Sequence, residues 1–388
     1  MVIDPADVAL CLTDDGVADS AGALPTSVPI VQTSLFSYPD FHALLAGLSS
    51  EHSHHVYTRG QNPTVEALER KLAALERGEA CKCFASGMAA ISAVMLGLLR
   101  AGDHVLFVNH IYGPTLQLAE HLRRFGVQHD VLLDLEVDAV DRALLPETRL
   151  VWIENPGTML FRMLDVRGIA ALARQRGILT CIDNSWSTPL LQKPILAGVD
   201  IVVHTCSKYI GGHSDVMAGA VISTAARMQE IFYRAFLLNG GVLGPHEAWL
   251  LLRGMRTLPA RLRQHEADAL RIAEFLNVHA AVRRVYHPAF TADRALRDGL
   301  HGWSGLFSFE LVRDDFDSVA RVIDGLEHFR IGVSWGGVES VVISPNRANN
   351  GAQLDAQRIP RGLIRLSVGL EGADVLMRDL DAALAHIR

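Results

Sequence analysis

Between residues 104 and 204 the chain alternates short apolar segments with amphipathic ones, and this alternation constrains the fold more than any other feature. Apolar runs predict strands at His104–Val108, Leu150–Ile153, Leu179–Ile182 and Ile201–His204. Amphipathic segments predict helices at Pro114–Phe125 and Val166–Arg176. Strands joined through helices pair in parallel, because the crossover returns the chain to the same end of the sheet. We therefore expect an α/β fold with a mainly parallel central sheet and helices on both faces.

The pattern divides the 388 residues into three parts. Residues 1–56 contain few periodic segments, and we interpret them as an N-terminal arm that makes subunit contacts. Residues 57–244 carry the alternating pattern, which starts with predicted helices at Asn62-Pro63 and at Ser86-Gly87. Residues 245–388 predict a smaller α+β domain. Its expected helices are Arg261–Val278, Phe316–Leu326 and Ala373–Ile387, and its expected strands are Leu306–Val312 and Leu363–Val368.

Composition excludes several classes of partner. The formal net charge is −7 and there is no basic tract, so we expect neither nucleic acid nor an anionic membrane as a partner. The longest apolar stretch, Ala89–Leu99, is too short to span a bilayer. The five cysteines are an odd number in a long chain, which favours reduced thiols, and Cys81-Lys82-Cys83 lacks a second cluster that would complete a metal site. With no basic leader at its start, the chain is expected to be cytoplasmic and to hold no metal.

A lysine follows the last predicted strand of the alternating region. Lys208 lies between the hydroxyls of Thr205 and Ser207 on one side and Gly211-Gly212 on the other. Hydroxyls beside a lysine suit a phosphate, and a partly desolvated lysine can lose its proton and condense with an aldehyde. Pyridoxal phosphate (PLP) carries both groups. Alone, such a segment is more typical of an exposed lysine in a glycine-rich turn, and only its neighbours in the sequence favour the cofactor.

Asp183 ends one predicted strand, and Lys208 lies just beyond the next. In a parallel sheet, ligands bind beyond the carboxyl ends of the strands, so these two residues are expected in one crevice. A carboxylate there would keep a pyridine nitrogen protonated, which makes PLP an electron sink. The alternative for Asp183 is a turn or cap ahead of Asn184-Ser185.

Two further segments suit a flat, phosphorylated cofactor. Ser86-Gly87-Met88 opens an apolar helix, whose free N–H groups and dipole favour a phosphate. Tyr112 follows another predicted strand and could stack on a ring. Their alternatives are a simple helix cap and an ordinary turn.

Together these segments resemble the PLP-dependent Cys/Met metabolism (trans-sulfuration) enzymes, a family that includes cystathionine β- and γ-lyases, cystathionine γ-synthase and methionine γ-lyase. The similarity runs almost end to end, from Val28 to Glu371. The motifs that carry it are Tyr57-Thr58-Arg59 with Asn62-Pro63-Thr64, the Ser86 turn, Ile182-Asp183-Asn184, Lys208 through His213-Ser214-Asp215, Ser334-Trp335-Gly336-Gly337, and Arg365-Leu366-Ser367. The resemblance implies the PLP-dependent fold type I, which is aspartate aminotransferase-like, and residues 57–244 would be its PLP-binding domain.

The resemblance also implies a role for each matching residue. Lys208 would bind PLP covalently and move protons, Asp183 would pair with the ring nitrogen, and Tyr112 would stack on the ring. The phosphate would be held by Ser86, Gly87, Met88, Thr205 and Ser207, and by Tyr57 and Arg59 of a neighbouring subunit. The substrate would be bound by Arg365, which grips its α-carboxylate, and by Ser334, Thr158, Tyr57 and Trp335. A homo-oligomer, a dimer of dimers with shared sites, follows from this arrangement.

The motifs divide between branches of the family. Thr158 stands where the γ-enzymes have an asparagine, and with Trp335 and Trp186 it resembles bacterial cystathionine β-lyases. Gly60 and Gly240-Gly241 resemble the γ-lyase and γ-synthase pattern instead. We expect a carbon–sulfur lyase that cleaves cystathionine or a related cysteine S-conjugate by α,β-elimination to a thiol, pyruvate and ammonia. The alternative is γ-elimination or γ-replacement.

Two hypotheses come from other classes. A non-catalytic regulator on the same fold is disfavoured because Lys208, Asp183, Tyr112 and Arg365 are all intact. A nicotinamide-dependent oxidoreductase is disfavoured because no G-x-G-x-x-G fingerprint follows the early strands.

Overall fold

The computed structural model describes residues 1–13, 22, 25–291, 293–297 and 299–387. Its larger sheet is formed by β1 (Ala80–Phe84), β2 (His104–Val108), β3 (Gln128–Leu132), β4 (Thr148–Glu154), β5 (Leu179–Asp183), β6 (Ile201–His204) and β7 (Gly219–Ser223). Across the sheet they lie in the order β1-β7-β6-β5-β4-β2-β3. Only β7 runs antiparallel to its two neighbours, so the mainly parallel sheet is confirmed.

Helices cover both faces of the sheet. Those of the first 277 residues are α1 (Pro5–Leu12), α2 (Phe41–Leu48), α3 (Pro63–Glu76), α4 (Gly87–Leu98), α5 (Gly113–Leu122), α6 (Val137–Ala143), α7 (Val166–Gln175), α8 (Thr188–Leu191), α9 (Ala225–Ile231), α10 (Leu237–Asn239) and α11 (Pro245–Asn277). A π-helical turn, Phe232–Phe236, joins α9 to α10. Successive residues of β5 enter different cores: Cys181 packs on the side of α4 and α9, and Ile182 on the side of α3 and α7. Burial on both faces explains why β2, β5 and β6 are mainly apolar runs.

A second, smaller sheet follows. Its strands are β8 (Val282–Tyr286), β9 (Leu306–Leu311), β10 (Arg330–Ile331), β11 (Val341–Ile343) and β12 (Leu363–Ser367), in the order β10-β11-β12-β9-β8. Its helices are α12 (Arg294–Arg297), α13 (Phe316–Asp324), α14 (Gly351–Ala356) and α15 (Ala373–Ala385). This region has a hydrophobic core of its own. The smaller C-terminal α+β unit expected from the sequence is therefore present.

Helix α11 belongs to both units. Its buried side chains up to Leu262 pack in the core of the large sheet, whereas those from Ala269 onward pack in the core of the small sheet. The sequence predicted a helix only from Arg261, because Pro259 is a helix breaker. Burial of apolar residues on both sides of Pro259 outweighs the lost hydrogen bond, and the helix runs through it.

The first residues form helices that their sequence did not predict. Asp4 and Asp40 cap α1 and α2 with their side chains. Helix α1 packs on the large domain of its own chain: Cys11 lies in the core, and Asp7 makes ion pairs of 2.8 and 2.7 Å with Arg77 and Lys193. The subunit contacts expected of residues 1–56 stay a prediction. Throughout the described ranges, no helix is long and apolar enough to cross a bilayer.

Candidate active site

The carboxyl edge of the large sheet meets the small domain at Lys208. Lys208 lies four residues beyond β6, and its Nζ donates a hydrogen bond of 2.5 Å to Oγ of Ser334. The same nitrogen lies 5.4 Å from the ring centroid of Trp335. Both partners come from the segment between β10 and β11, so the lysine is held between the two domains.

The environment of Lys208 disfavours its charged form. Burial and, to a smaller extent, the positive charge of Arg365 lower the pKa of its amine to about 8, and only Asp183 acts in the opposite direction. The loop that carries Ser334 packs directly on the lysine backbone, since a Cβ at Gly336 would lie 2.8 Å from the Tyr209 nitrogen. A lysine with this pKa is a usable nucleophile and base near neutral pH.

Arg365 brings an unpaired positive charge to the same place. It lies in the middle of β12, is only 9% exposed, and has Nη2 at 3.5 Å from the backbone oxygen of Ser334. Burial lowers the pKa of its guanidinium to about 10, and the phenol of Tyr112 opposes this shift. Among the residues that the structure describes, no carboxylate lies within ion-pair distance of Arg365. A buried, uncompensated guanidinium is a site for an anionic ligand.

Asp183 lies close enough to Lys208 and to Tyr112 for its charge to affect the pKa of both. Asp183 is half-buried at the end of β5, and its Oδ1 accepts a 3.0 Å hydrogen bond from the backbone N–H of Ser185. Burial raises the pKa of Asp183, and the Ser185 hydrogen bonds and nearby Lys208 oppose the rise. Tyr112 is 45% exposed at the start of α5, so its ring is accessible to a ligand. Burial raises the pKa of its phenol, as do the charges of Asp183 and Glu154.

Glu154 is the site residue to which sequence reasoning assigned no role. It ends β4 as Asp183 ends β5, is 7% exposed, and its Oε1 accepts a 2.7 Å hydrogen bond from the backbone N–H of Tyr112. The available signal was its place at the carboxyl end of a parallel strand, which is the same argument that identified Asp183.

Small groups at the start of α4 and in the segment between β6 and Lys208 form a cradle. Ser86 caps α4, its Oγ accepting from the Ala89 N–H at 3.1 Å, and the N–H groups of the following Gly87 and Met88 have no partner within the helix. Gly87 touches the side chain of Thr205, and Oγ of Ser207 accepts a 2.9 Å hydrogen bond from Ala218 N. Free N–H groups at a helix N-terminus beside hydroxyls form an anion site.

The cradle requires glycine at position 87, which gives a matched pair of variants. A Cβ at position 87 would lie within 3.0 Å of the Oγ1, Cβ and Cγ2 atoms of Thr205. Because the Thr205 Cβ keeps its place when the side chain rotates, rotation alone cannot relieve the clash. We expect Gly87→Ala to lower the free energy of unfolding by about 1–3 kcal/mol. Gly113 also starts a helix but has nothing within 4 Å of its Cβ position. In urea unfolding, the free energy of unfolding of Gly113→Ala should lie within about 0.5 kcal/mol of that of the parent. If both variants lose the same free energy of unfolding, Gly87 is not closely packed against Thr205.

Thr158 and Trp186 have clear structural contacts. The backbone N–H of Thr158 donates a 2.9 Å hydrogen bond to the backbone oxygen of His110, so it lies in the loop that packs on the segment before Tyr112. Trp186 is buried, and its Nε1 donates to the Leu306 oxygen at 2.9 Å, which ties the large domain to β9.

Tyr57 and Arg59 are not brought to Lys208 within one chain. Tyr57 forms a bridge with Leu35 and is 48% exposed, and the Arg59 guanidinium lies 5.7 Å from its ring centroid. The neighbouring Gly60 packs near Phe232 of the π-helical turn. Across the described ranges, no hydrogen bond or ring contact links Tyr57 or Arg59 with Lys208, so both remain on the surface.

Comparison with known proteins identifies the family. The family model for Cys/Met metabolism PLP-dependent enzymes matches residues 15–385, and the chain belongs to this family. The resemblance noted from the motifs and the expected PLP cofactor are thereby confirmed.

Individual relatives carry different activity names. The chain is 36% identical to a cystathionine gamma-lyase of Bacillus subtilis, over 93% of this chain and 94% of the relative. It is 37% identical to a cystathionine beta-lyase of Lactococcus lactis subsp. cremoris, over 95% and 96%. The crystal structure of a cystathionine gamma synthase from Xanthomonas oryzae pv. oryzae, in complex with aminoacrylate and cysteine, superimposes with a TM-score of 0.89 at 35% identity, covering 98% of this chain and 97% of that one. The fold class is confirmed, whereas identity alone does not separate β- from γ-chemistry.

Proposed function

We propose that this PLP-dependent family member is a carbon–sulfur lyase that cleaves cystathionine or a related cysteine S-conjugate by α,β-elimination. The products would be a thiol, pyruvate and ammonia. The observation that supports amino-acid chemistry is the convergence of Lys208, Asp183 and Tyr112 from the large sheet with unpaired Arg365 from the small domain. The observation that favours β-elimination is Pro156-Gly157-Thr158, with a hydroxyl in place of the γ-enzymes' asparagine.

The residues fit the cofactor. The N-terminus of α4 with Thr205 and Ser207 would hold its phosphate, Asp183 would face its ring nitrogen, and Tyr112 would cover its ring. Bound PLP supplies an aldehyde for covalent attachment and a protonated ring that withdraws electrons from the substrate's α-carbon.

The chain's own groups would perform the remaining steps. Arg365 would hold the α-carboxylate of the substrate in its buried pocket and thereby orient the Cα–H bond. Lys208 Nζ would take the α-proton of the substrate, since its lowered pKa leaves the amine able to act as a base. Its hydrogen bond to Ser334 fixes the amine between the domains while it carries that proton. Trp335 beside Lys208 would exclude water from one side of the site.

Product analysis tests this proposal. The purified holoenzyme is incubated with cystathionine, and the keto acid is identified by mass spectrometry, with Lys208→Ala as the blank. Pyruvate with homocysteine is the expected result. 2-Oxobutyrate with cysteine would overturn β-elimination in favour of the γ-pathway.

A γ-elimination or γ-replacement enzyme is the second candidate. Gly60, where some β-lyases place an arginine, and Gly240-Gly241 favour it. In the structure Gly60 is buried and packs against Phe232 and Leu237, so this position does not offer a side chain to a distal carboxylate. A replacement product formed from an activated homoserine ester and cysteine would establish this alternative.

We further infer a homo-oligomer, a dimer of dimers, in which Tyr57 and Arg59 complete the phosphate site of a neighbouring subunit. Both side chains are exposed and separate from their own Lys208. The nearby helix α2 exposes Phe41, Leu45 and Leu48 at 68%, 46% and 47%, an apolar face suited to a second copy. The five cysteines are free and buried, and this supports the proposed cytoplasmic location.

Subunit mixing tests the shared site. Arg59→Ala and Lys208→Ala are each expected to be inactive alone. Because some mixed dimers then contain one site with both residues intact, subunit exchange should restore up to about a quarter of the parental activity, by the statistics of random pairing. Exchange is monitored by native mass spectrometry. If exchange occurs and no activity returns, Arg59 acts within its own subunit.

A further inference from the structure

Glu154 and Asp183 form a pair of neighbouring carboxyl groups. They are paired in register at the ends of the parallel strands β4 and β5. Two residues earlier on each strand, Trp152 and Cys181 pack in the same core, so Glu154 and Asp183 project from the same face of the sheet. Neighbouring strands lie about 4.8 Å apart, so two charges at these positions would repel strongly.

The surroundings of the two carboxyl groups differ. Asp183 is half-buried, accepts an N–H from Ser185, and is favoured in its charged form by Lys208. Glu154 is buried, its carboxyl faces the backbone N–H groups of Tyr112 and Thr158, and the charge of Asp183 lies nearby. None of the described cations makes an ion pair with Glu154. When two carboxyl groups share a site, the proton resides on the one whose negative charge is less stabilised by neighbouring groups.

We propose that Glu154 is a positioning residue that stays protonated, holds the Tyr112 backbone through its carbonyl oxygen, and leaves Asp183 as the single negative charge beneath the cofactor ring. This inference rests on the proposed roles of Asp183 and Tyr112. Burial and the charge of Asp183 raise the pKa of Glu154 well above its ordinary value, which agrees with it. The other titratable or charged groups facing this pair are His204 and Lys208, which act on Asp183, and Arg365, which acts on Tyr112.

The loop before Tyr112 is anchored independently of the Glu154 side chain. Asn109, at a left-handed φ of 85°, donates from Nδ2 to the backbone oxygens of Glu154 and Arg162 at 3.1 and 2.8 Å. His110 Nε2 contacts the backbone oxygen of Gln357 at 2.8 Å. Replacing the Glu154 side chain therefore removes its hydrogen bond with the Tyr112 N–H, while the contacts of Asn109 and His110 keep the loop in place.

Two variants separate the proton from the hydrogen bond. Glu154→Gln keeps a neutral carbonyl oxygen for the Tyr112 N–H, whereas Glu154→Leu removes it and leaves that N–H unpaired. We expect the glutamine variant to retain the parental absorption spectrum and cofactor affinity, and the leucine variant to bind PLP about tenfold more weakly, since an unpaired buried donor is costly. If Glu154→Gln binds PLP as weakly as Glu154→Leu does, the proposal is overturned.

The unfolding of the cofactor-free proteins gives a readout that is independent of catalysis. A carboxyl whose pKa is raised in the folded state contributes stability that is present below its unfolded pKa and is lost as the pH rises toward its folded pKa. The stability of Glu154→Gln relative to the parent should therefore increase from about pH 4 to about pH 7. A difference that does not change with pH would show that Glu154 is ionised and would overturn the proposal, even if the leucine variant fails to fold. Neither result depends on which keto acid the enzyme forms, so failure here is distinct from failure of the proposed reaction.

Discussion

Lys208→Ala is expected to lose nearly all turnover, and this is the largest single effect that the structure predicts. The side chain is the one amine at the meeting point of Asp183, Arg365 and Ser334, and its pKa is lowered to about 8 by burial. Removal of a general acid–base group alone costs about 10²–10⁴-fold in rate. Because the same nitrogen would also bind the cofactor covalently, we expect a loss at or beyond the upper end of that range. The rate is measured as keto acid release under saturating substrate.

Covalent labelling separates this role from a structural one. Borohydride reduction of the parental holoenzyme should fix the cofactor on the peptide that contains Lys208, and the alanine variant should carry no label although its phosphate cradle is intact. Added small amines should restore part of the proton transfer in the variant. A parental absorption spectrum in Lys208→Ala, or a label on Lys193 or Lys82, would contradict the assignment.

The inner strands of the central sheet were predictable because they are buried on both faces. β2, β5 and β6 are short, mainly apolar runs, and β5 and β6 end in a polar residue, so their positions, and with them Asp183 and Lys208, followed from the sequence. β1, β3 and β7 escaped prediction, β3 because it is a polar, largely exposed edge strand. β1 carries a buried lysine, Lys82, that is neutralised by Glu69 at 2.9 Å, and β7 follows a loop with no periodic pattern.

Contacts between distant segments could not be predicted from local pattern. The hydrogen bond between His110 and Gln357 joins residues 247 positions apart and depends on how the small domain packs. The pairing of Glu154 with Asp183 depends on the strand register, which an apolar run does not reveal. The unpaired state of Arg365 could be recognised only once every neighbouring carboxylate had been placed.

Asp183→Asn is expected to reduce kcat by about 10²–10³-fold, equivalent to about 3–4 kcal/mol of transition-state stabilisation, as for removal of other preorganised electrostatic contacts. Asparagine keeps the size and can still accept the Ser185 N–H, so the loss would arise from the missing charge that holds the ring nitrogen protonated. Measured kcat and KM distinguish this from weaker substrate binding, which would raise KM alone.

Asp200→Asn is the matched control for that loss. Asp200 precedes β6 at the opposite edge of the same sheet, where its Oδ2 accepts from the Thr180 N–H and hydroxyl, each at 2.9 Å. Removing this charge should leave kcat within a few-fold of the parent, because it lies far from the developing charge. If Asp183→Asn also keeps kcat within a few-fold, the carboxylate does not polarise the ring. The neutral Glu154 proposed beside it would then have no charge to preserve, because its role rests on that of Asp183.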